Sequence, residues 1–194
     1  MAKETEMDYF IRYFANIAEK VALIDSCVLT QITNILVDTR SKGGKVFIFG
    51  NGGSAAIASH VAVDLTKTAN IRTVAYHDIA MVTCFSNDYG FENWIAKTIE
   101  LYADKNDMTI LISSSGKSPN ILNAAVKVKQ LCLCLATFSG FSPNNPLKQI
   151  GDINCWVDSM EYNIVELTHS VWLSAVIDNI IQKQTEVIVS EGPR

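Results

Sequence analysis

The stretch Val46–His60, VFIFGNGGSAAIASH, decides the fold. Its first four residues have the aromatic and β-branched composition of a buried strand. Glycines then flank Asn51, and Ser54 is expected to be the N-cap of a helix that is rich in alanine. A strand that turns directly into a helix points backbone N–H groups and the positive end of the helix dipole at one spot. The stretch therefore predicts a β–α turn that suits a phosphate, although an ordinary tight turn has the same composition.

The same strand-then-helix pattern continues along the chain. Helical segments at about 54–67, 91–102, 118–129 and 161–183 separate most of the strand-like runs. These runs are Val46–Phe49, Thr73–Tyr76, Met108–Ser113, Leu131–Phe138 and Ile153–Val157. The alternation predicts an α/β fold with a mostly parallel sheet and helices on both faces. In such folds the ligand lies at the carboxyl ends of the strands.

Residues 5–42 carry apolar side chains at helical spacing and end at Gly43-Gly44. This predicts two helices, or one bent helix, with a wide apolar face. Packing onto a partner subunit and docking on the chain's own sheet both fit that face. We interpret residues 1–44 as an N-terminal helical oligomerisation segment and residues 45–189 as one structural unit.

The overall composition is that of a well-packed globular protein. The 194 residues are 48% hydrophobic and 19% charged, and the net charge of −4 argues against a nucleic acid or a membrane surface as a partner. The five cysteines form no C-x-x-C pair, which favours free thiols in a reducing cytoplasm. The polar start and the lack of an 18-residue apolar run predict neither a signal peptide nor a membrane span.

A second loop, ISSSGKSPN (112–120), follows an apolar strand and precedes a helix. Pro119 suits the first turn of that helix, with Ser118 as its N-cap. Serine hydroxyls, a glycine and a lysine are what a phosphate monoester needs from a site without metal. An isolated serine-rich loop would carry little weight, but two anion-friendly turns at one sheet edge favour a phosphorylated ligand.

Two of the three histidines lie one helical turn from a carboxylate. His60 and Asp64 are spaced i, i+4, and Glu166 and His169 are spaced i, i+3. The four side chains match either a zinc site or a general acid and base, but ordinary helix-surface pairs have the same spacing. The third histidine, His77, is expected in a surface loop.

Four segments together resemble the sugar isomerase (SIS) domain family in its phosphoheptose isomerase branch: FGNGGSAAIASHVAVDL (49–65), FSNDYGFE (85–92), ISSSGKSPNI (112–121) and VELTHSVWLSAVID (165–178). The resemblance implies a three-layer α/β/α sandwich with a five-stranded sheet, and a cytoplasmic homotetramer with sites between subunits. It implies isomerisation of sedoheptulose 7-phosphate to D-glycero-D-manno-heptose 7-phosphate through an enediol, for the heptose of lipopolysaccharide. A non-catalytic relative that docks on the replication initiator is the alternative.

The resemblance also assigns roles to residues. It implies that Asp64 is the base, that His169 is its acid–base partner, and that Asp88 binds sugar hydroxyls. The other substrate contacts implied are Asn51, Gly53, Ser54, Ser113, Ser114, Ser115, Ser118 and Glu166. The Zn²⁺ ligands implied are His60, Asp64, Glu166 and His169. The chain departs from the family pattern at three positions, with Asp64 for a glutamate, Glu166 for a glutamine, and no second histidine near Ser174.

Overall fold

The computed structural model describes residues 2–191, with side chains for residues 8–186. Five strands form one sheet in the order β2-β1-β3-β4-β5, and every neighbouring pair is parallel. The strands are β1 (Val46–Phe49), β2 (Thr73–Val74), β3 (Met108–Ser113), β4 (Cys134–Ser139) and β5 (Ile153–Trp156). The register pairs Ser113 with Ser139, so the carboxyl ends of the two central strands are level.

Within residues 2–191, eight helices accompany the sheet. They are α1 (Ala2–Ala22), α2 (Ser26–Ser41), α3 (Gly53–Lys67), α4 (Ile79–Tyr89), α5 (Trp94–Tyr102), α6 (Pro119–Gln130), α7 (Pro146–Ile150) and α8 (Tyr162–Glu191). Side chains of α2, α3 and α8 share a core with one face of the sheet, and those of α5, α6 and α7 share a core with the other. Successive residues of β1 alternate between these cores, as strand geometry requires. The predicted three-layer α/β/α sandwich is confirmed.

The N-terminal segment divides into two helices with different surroundings. α1 and α2 meet at an angle of 64°. Ile32 and Leu36 of α2 are fully buried in the core beneath the sheet, so this helix docks on its own chain. α1 is held at its end, where the Trp172 indole donates to the Val21 carbonyl at 2.9 Å. The assignment of residues 1–44 to oligomerisation stays a prediction.

Three local features differ from the predicted pattern. Residues 79–89 form α4, which the predicted helical segments do not include; Asp78 caps this helix by accepting from the Ala80 and Met81 amides. β4 begins at Cys134, because Cys132 has a φ of +55° and forms a turn after α6. α7 follows Asn145, whose side chain caps it.

By length and composition alone, α8 could span a membrane over Tyr162–Glu186. Half of its most apolar window is buried inside the fold, which is typical of the core helix of a globular protein.

Candidate active site

The glycine loop (Gly50–Gly53) joins β1 to α3. A side chain at Gly50 would place its Cβ 2.5 Å from the Ser54 carbonyl carbon, so only glycine permits this turn. Gly52, with a φ of +53°, is the N-cap of α3. The prediction that Ser54 is the N-cap was therefore wrong. Ser54 lies within the first turn and is 3% exposed, which leaves its hydroxyl for the site.

The serine loop (Ser113–Ser118) joins β3 to α6. Ser118 is the N-cap residue, but its hydroxyl makes no capping bond and lies 3.2 Å from the Ser113 hydroxyl. The buried Ser114 hydroxyl has no partner among the described residues. Buried hydroxyls are nearly always hydrogen-bonded, so this group is suited to a ligand oxygen.

The two loops line one cavity of about 300 Å³ at the carboxyl ends of β1 and β3. Its walls comprise both loops and the start of α8, contributed by Asn51, Gly52, Gly53, Ser54, Ile112, Ser113, Ser114, Ser115, Ser118, Tyr162 and Glu166. The cavity combines serine hydroxyls with the N-termini of α3 and α6, which is the chemistry that binds a phosphate group.

A reciprocal amide pair ties the loops together. Asn51 donates to the Asn120 side-chain oxygen at 2.9 Å, and Asn120 donates to the Asn51 oxygen at the same distance. Asn120 is 1% exposed, so the pair is shielded from water on its α6 side. This pair fixes the separation of the two anion-binding turns.

A buried asparagine supports the serine loop from behind. The Asn145 amide nitrogen donates to the Ser139 hydroxyl at 3.1 Å and to the Gly140 carbonyl at 3.2 Å. Its side chain packs against Gly116, where a Cβ would overlap it. The Gly140 amide in turn donates to the Ser114 carbonyl at 2.9 Å. The serine loop thus takes its shape from the loop after β4.

Glu166, on the first turns of α8, places its carboxylate directly over Gly53. A Cβ at Gly53 would collide with that carboxylate, so the glycine is needed for this contact. Burial raises the pKa of the Glu166 carboxyl, and a hydrogen bond with the Ser54 side chain opposes the shift without cancelling it. The same carboxyl group lies in the wall of the phosphate cavity.

His60 and Asp64 form a pair away from this cavity. The His60 Nε2 lies 3.2 Å from an Asp64 carboxylate oxygen, and the His60 side chain is 65% exposed. With a helical rise of about 1.5 Å per residue, the two lie roughly 9 and 15 Å along α3 from Ser54. Within one chain they do not reach a phosphate bound between the loops.

His169 is sealed inside the fold. It is 0% exposed, its Nε2 lies 3.1 Å from the Ser139 carbonyl oxygen, and its ring packs edge-on against Phe138. Burial lowers the pKa of His169 to about 4. Within one chain the ring is therefore separated from the phosphate cavity, and the roles of His169 as acid–base partner and zinc ligand stay predictions.

The chain is similar in sequence to proteins of known function. Residues 9–137 match the model of the SIS domain. The chain is 32% identical over 158 residues to the phosphoheptose isomerase of Helicobacter pylori, which covers 78% of this chain and 82% of that protein. It is 44% identical over 127 residues to that of Campylobacter jejuni serotype O:6, covering 60% of this chain and 68% of that protein. The chain belongs to the SIS domain family, in its phosphoheptose isomerase branch.

Solved structures agree with this placement. The phosphoheptose isomerase of Francisella tularensis superposes on this SIS domain with a TM-score of 0.82 at 25% identity, covering 94% of this chain and 99% of that one. The phosphoheptose isomerase of Neisseria gonorrhoeae gives a TM-score of 0.83 at 23% identity, covering 93% and 99%. The match extends beyond the sheet to nearly the whole chain.

Two further predicted positions lie apart from the cavity of this SIS domain. Asp88 is exposed on the last turn of α4 and contacts its neighbours Asn87 and Cys84, so one chain does not bring it to the phosphate loops. His77 is half-buried rather than in an exposed loop. It packs edge-on against Phe49, and its Nδ1 lies 3.3 Å from the Ser59 hydroxyl.

The predicted zinc ligands do not form a metal site within one chain. Within residues 8–186, no group of three or more histidine, cysteine, aspartate or glutamate side chains is placed to hold a metal ion. Zinc sites use three or four protein ligands, and the His60–Asp64 pair supplies two. A single chain therefore does not fit a zinc ion at these residues.

The motifs do not reveal the two supporting asparagines, Asn120 and Asn145. Asn120 directly follows the serine-rich motif, and Asn145 precedes a proline, which is typical of a helix start. Neither signal indicates that their side-chain amides join separate loops. Asn120 contacts Asn51, 69 positions earlier in the chain, and Asn145 contacts Ser139 and Gly140, six and five positions earlier.

Proposed function

We propose that this chain isomerises sedoheptulose 7-phosphate to D-glycero-D-manno-heptose 7-phosphate. It is an isomerase of the phosphoheptose isomerase branch, and the relatives named above carry that activity in their names. The observation that carries the proposal is the convergence of the glycine and serine loops on one cavity, with a carboxyl group at its edge. The alternative, a module that docks on the replication initiator, is supported by nothing in the comparisons.

The cavity offers two kinds of group that can bind a phosphate. Serine hydroxyls and the N-termini of α3 and α6 would hold the phosphate, because both present donors and positive partial charge. The isomerisation then transfers a hydrogen between C1 and C2 through an enediol. Fixing the phosphate orients the carbon chain, and such positioning contributes a large part of the rate.

The direct test is to incubate the purified protein with sedoheptulose 7-phosphate and to follow the reaction by NMR. We expect the anomeric signals of an aldose 7-phosphate to appear. Absence of conversion, both with and without added zinc, would contradict the proposal.

A homotetramer with sites between subunits also remains our proposal. α1 presents apolar side chains to the outside, with Tyr9 55%, Phe10 53%, Ile11 64% and Phe14 63% exposed. Clustered exposed apolar residues mark an interaction surface. Light scattering on the purified protein tests the assembly, and a monomeric mass would contradict it. The predicted roles of Asp64 and Asp88 depend on such an assembly, because one chain keeps both away from the cavity.

Zinc binding is likewise a proposal. A metal ion at the exposed His60–Asp64 pair would need further donors from a second subunit, since zinc prefers three or four protein ligands. Metal analysis of protein purified without chelators is expected to give one ion per subunit, and a blank result would contradict it. Cytoplasmic heptose synthesis for lipopolysaccharide is the role that we propose for the product.

A further inference from the structure

We propose that His77 is a positioning residue that holds the glycine loop in the shape that binds the phosphate group. His77 lies behind this loop, outside the walls of the phosphate cavity. It acts through the backbone of Gly50. The inference rests on the proposed function, because it concerns how the site binds its substrate.

The fold brings His77 level with the start of the glycine loop. The parallel register of β1 and β2 pairs Phe47 with Val74, and when it is continued past the end of β2 it places His77 opposite Gly50. The φ of Tyr76 is +37°, a conformation that aromatic residues rarely adopt, and this bend comes directly before His77. The end of β2 and the glycine loop are therefore neighbours at one edge of the sheet.

The His77 ring contacts the elements on both sides of the loop. It packs edge-on against Phe49, the last residue of β1, with 5.8 Å between the ring centroids. Its Nδ1 lies 3.3 Å from the hydroxyl of Ser59, on α3. The Trp94 ring, 6.1 Å away between centroids, covers it from α5. The imidazole thus joins the strand before the loop to the helix after it.

The second ring nitrogen is available to the Gly50 carbonyl. Burial lowers the pKa of His77, so the ring is neutral near pH 7, with one N–H donor and one acceptor. A hydrogen bond with the Gly50 backbone opposes this shift, as a carbonyl that accepts from the ring would. The buried Nε2 has no partner of standard geometry in the described part of the chain. Since buried polar groups are nearly always bonded, the bond from Nε2–H to Gly50 becomes complete when the loop tightens on a phosphate.

Holding the Gly50 carbonyl also orients an amide of the site. In a planar trans peptide unit the C=O and N–H groups point in opposite directions, so a Gly50 carbonyl turned toward His77 turns the Asn51 N–H away from it. Asn51 lines the phosphate cavity, and its N–H donates to no backbone carbonyl among the described residues. This amide is a donor for a phosphate oxygen, and its direction depends on His77.

The test compares His77→Phe, which keeps an aromatic ring and removes both nitrogens, with Tyr76→Phe. Tyr76 is a matched control because it also packs at the end of β2 but against Phe47, away from the loop. We would measure the affinities for inorganic phosphate and sedoheptulose 7-phosphate by calorimetry, together with KM and kcat. We expect His77→Phe to weaken both affinities and to raise KM by about 5- to 10-fold, the effect of one hydrogen bond, with kcat nearly unchanged. Tyr76→Phe should match the wild type.

Two more variants separate positioning from packing. His77→Gln restores an amide N–H donor and should bring the phosphate affinity back to within about threefold of the wild type. Ser59→Ala, at an exposed residue, removes the partner of Nδ1 and should weaken phosphate binding by about threefold, even if His77→Phe does not fold. In NMR spectra, added phosphate should shift the Asn51 amide proton downfield in the wild type and less in Ser59→Ala.

Unchanged phosphate affinity in His77→Phe, or in Ser59→Ala where His77→Phe does not fold, would overturn the inference and leave the proposed function standing. Equal losses in His77→Phe and His77→Gln would do the same, because ring packing would then be the cause. A wild-type protein that binds neither inorganic phosphate nor the sugar phosphate would overturn both.

Discussion

The glycine loop and the serine loop both form the phosphate cavity, but they do so in different ways. The glycine loop works through missing side chains: Gly50 lets the chain turn against Ser54, and Gly53 admits the Glu166 carboxylate. The serine loop works through the groups that it presents: the Ser113 and Ser118 hydroxyls contact each other, and the Ser114 hydroxyl has no partner among the described residues. We therefore expect changes in the glycine loop to disrupt folding and catalysis together, and single changes in the serine loop to weaken binding in small steps.

Gly50→Ala should give the largest effect. Its Cβ would lie 2.5 Å from the backbone of Ser54, and backbone cannot move aside as a side chain can. We expect the free energy of unfolding in urea to fall by about 3 kcal/mol, the upper end for overpacking, with turnover largely lost. Gly43→Ala is the control, because Gly43 lies outside the cavity, a Cβ there meets nothing within 4 Å, and its positive φ adds only about 1–2 kcal/mol of strain. Equal losses in both variants would contradict this view of the glycine loop.

The stability of the fold behind the serine loop should depend on pH through His169. His169 contacts the Ser139 carbonyl, beside the Gly140 amide that bonds to Ser114. Its pKa is lowered to about 4 in the fold, whereas an unfolded histidine has a pKa near 6.5. The unfolded state therefore binds a proton first as the pH falls. The contribution of His169 to stability is complete above about pH 6.5 and declines toward pH 4, by about 3 kcal/mol.

Urea unfolding of wild type and His169→Asn between pH 4 and 7.5 measures this contribution. We expect the variant to lose that part of the pH dependence, while His60→Asn, at an exposed histidine, keeps it. If the free energy of unfolding of His169→Asn changed with pH as it does in the wild type, the buried ring would not be the source of that pH dependence.

Ser118→Ala should weaken substrate binding with a smaller effect. The hydroxyl makes no capping bond, so its loss leaves α6 intact and removes one hydrogen bond to the phosphate. We expect KM for sedoheptulose 7-phosphate to rise about 10-fold, corresponding to about 1.4 kcal/mol, with kcat unchanged. Competition by inorganic phosphate should weaken in parallel, and a lower kcat at constant KM would contradict a role in binding.

The Asn51–Asn120 pair should show the smallest effect, a coupling between the two loops. The single changes Asn51→Ala and Asn120→Ala each leave one amide without its partner, whereas the double variant removes both. A double-mutant cycle on stability should therefore give a coupling energy of about 1 kcal/mol. Additive effects would show that the loops are independent.

Much of the fold could be predicted because its signals are local. β1, β3 and β5 read as apolar runs, and the alternation with helices gave the parallel sheet. The start of β4 was predicted too early because Cys132 continues the apolar pattern while its backbone is left-handed. α4 was not among the predicted helices because Ser86–Gly90 has the composition of a turn, yet residues 79–89 form a helix capped by Asp78.

The site was predictable in its loops but not in its acid–base groups. Sequence spacing places a glutamate and a histidine on neighbouring turns, but it does not show which of them faces a cavity. The tertiary structure decides this, since Glu166 borders the cavity and His169 is buried against Ser139. The distance of His60 and Asp64 from the phosphate loops follows from their positions along α3, and their residue types do not reveal it.

The attachment of α1 has a consequence for ligand preference. Tyr13 of this peripheral helix lines a second cavity of about 390 Å³, which shares Gly53 and Glu166 with the phosphate cavity, and the Trp172–Val21 bond anchors the end of the helix to α8. A sugar chain that extends from the phosphate cavity into this second cavity would contact a segment that does not line the phosphate cavity. Exchanging the leading helix between relatives offers a route to altered sugar selectivity that leaves phosphate recognition untouched.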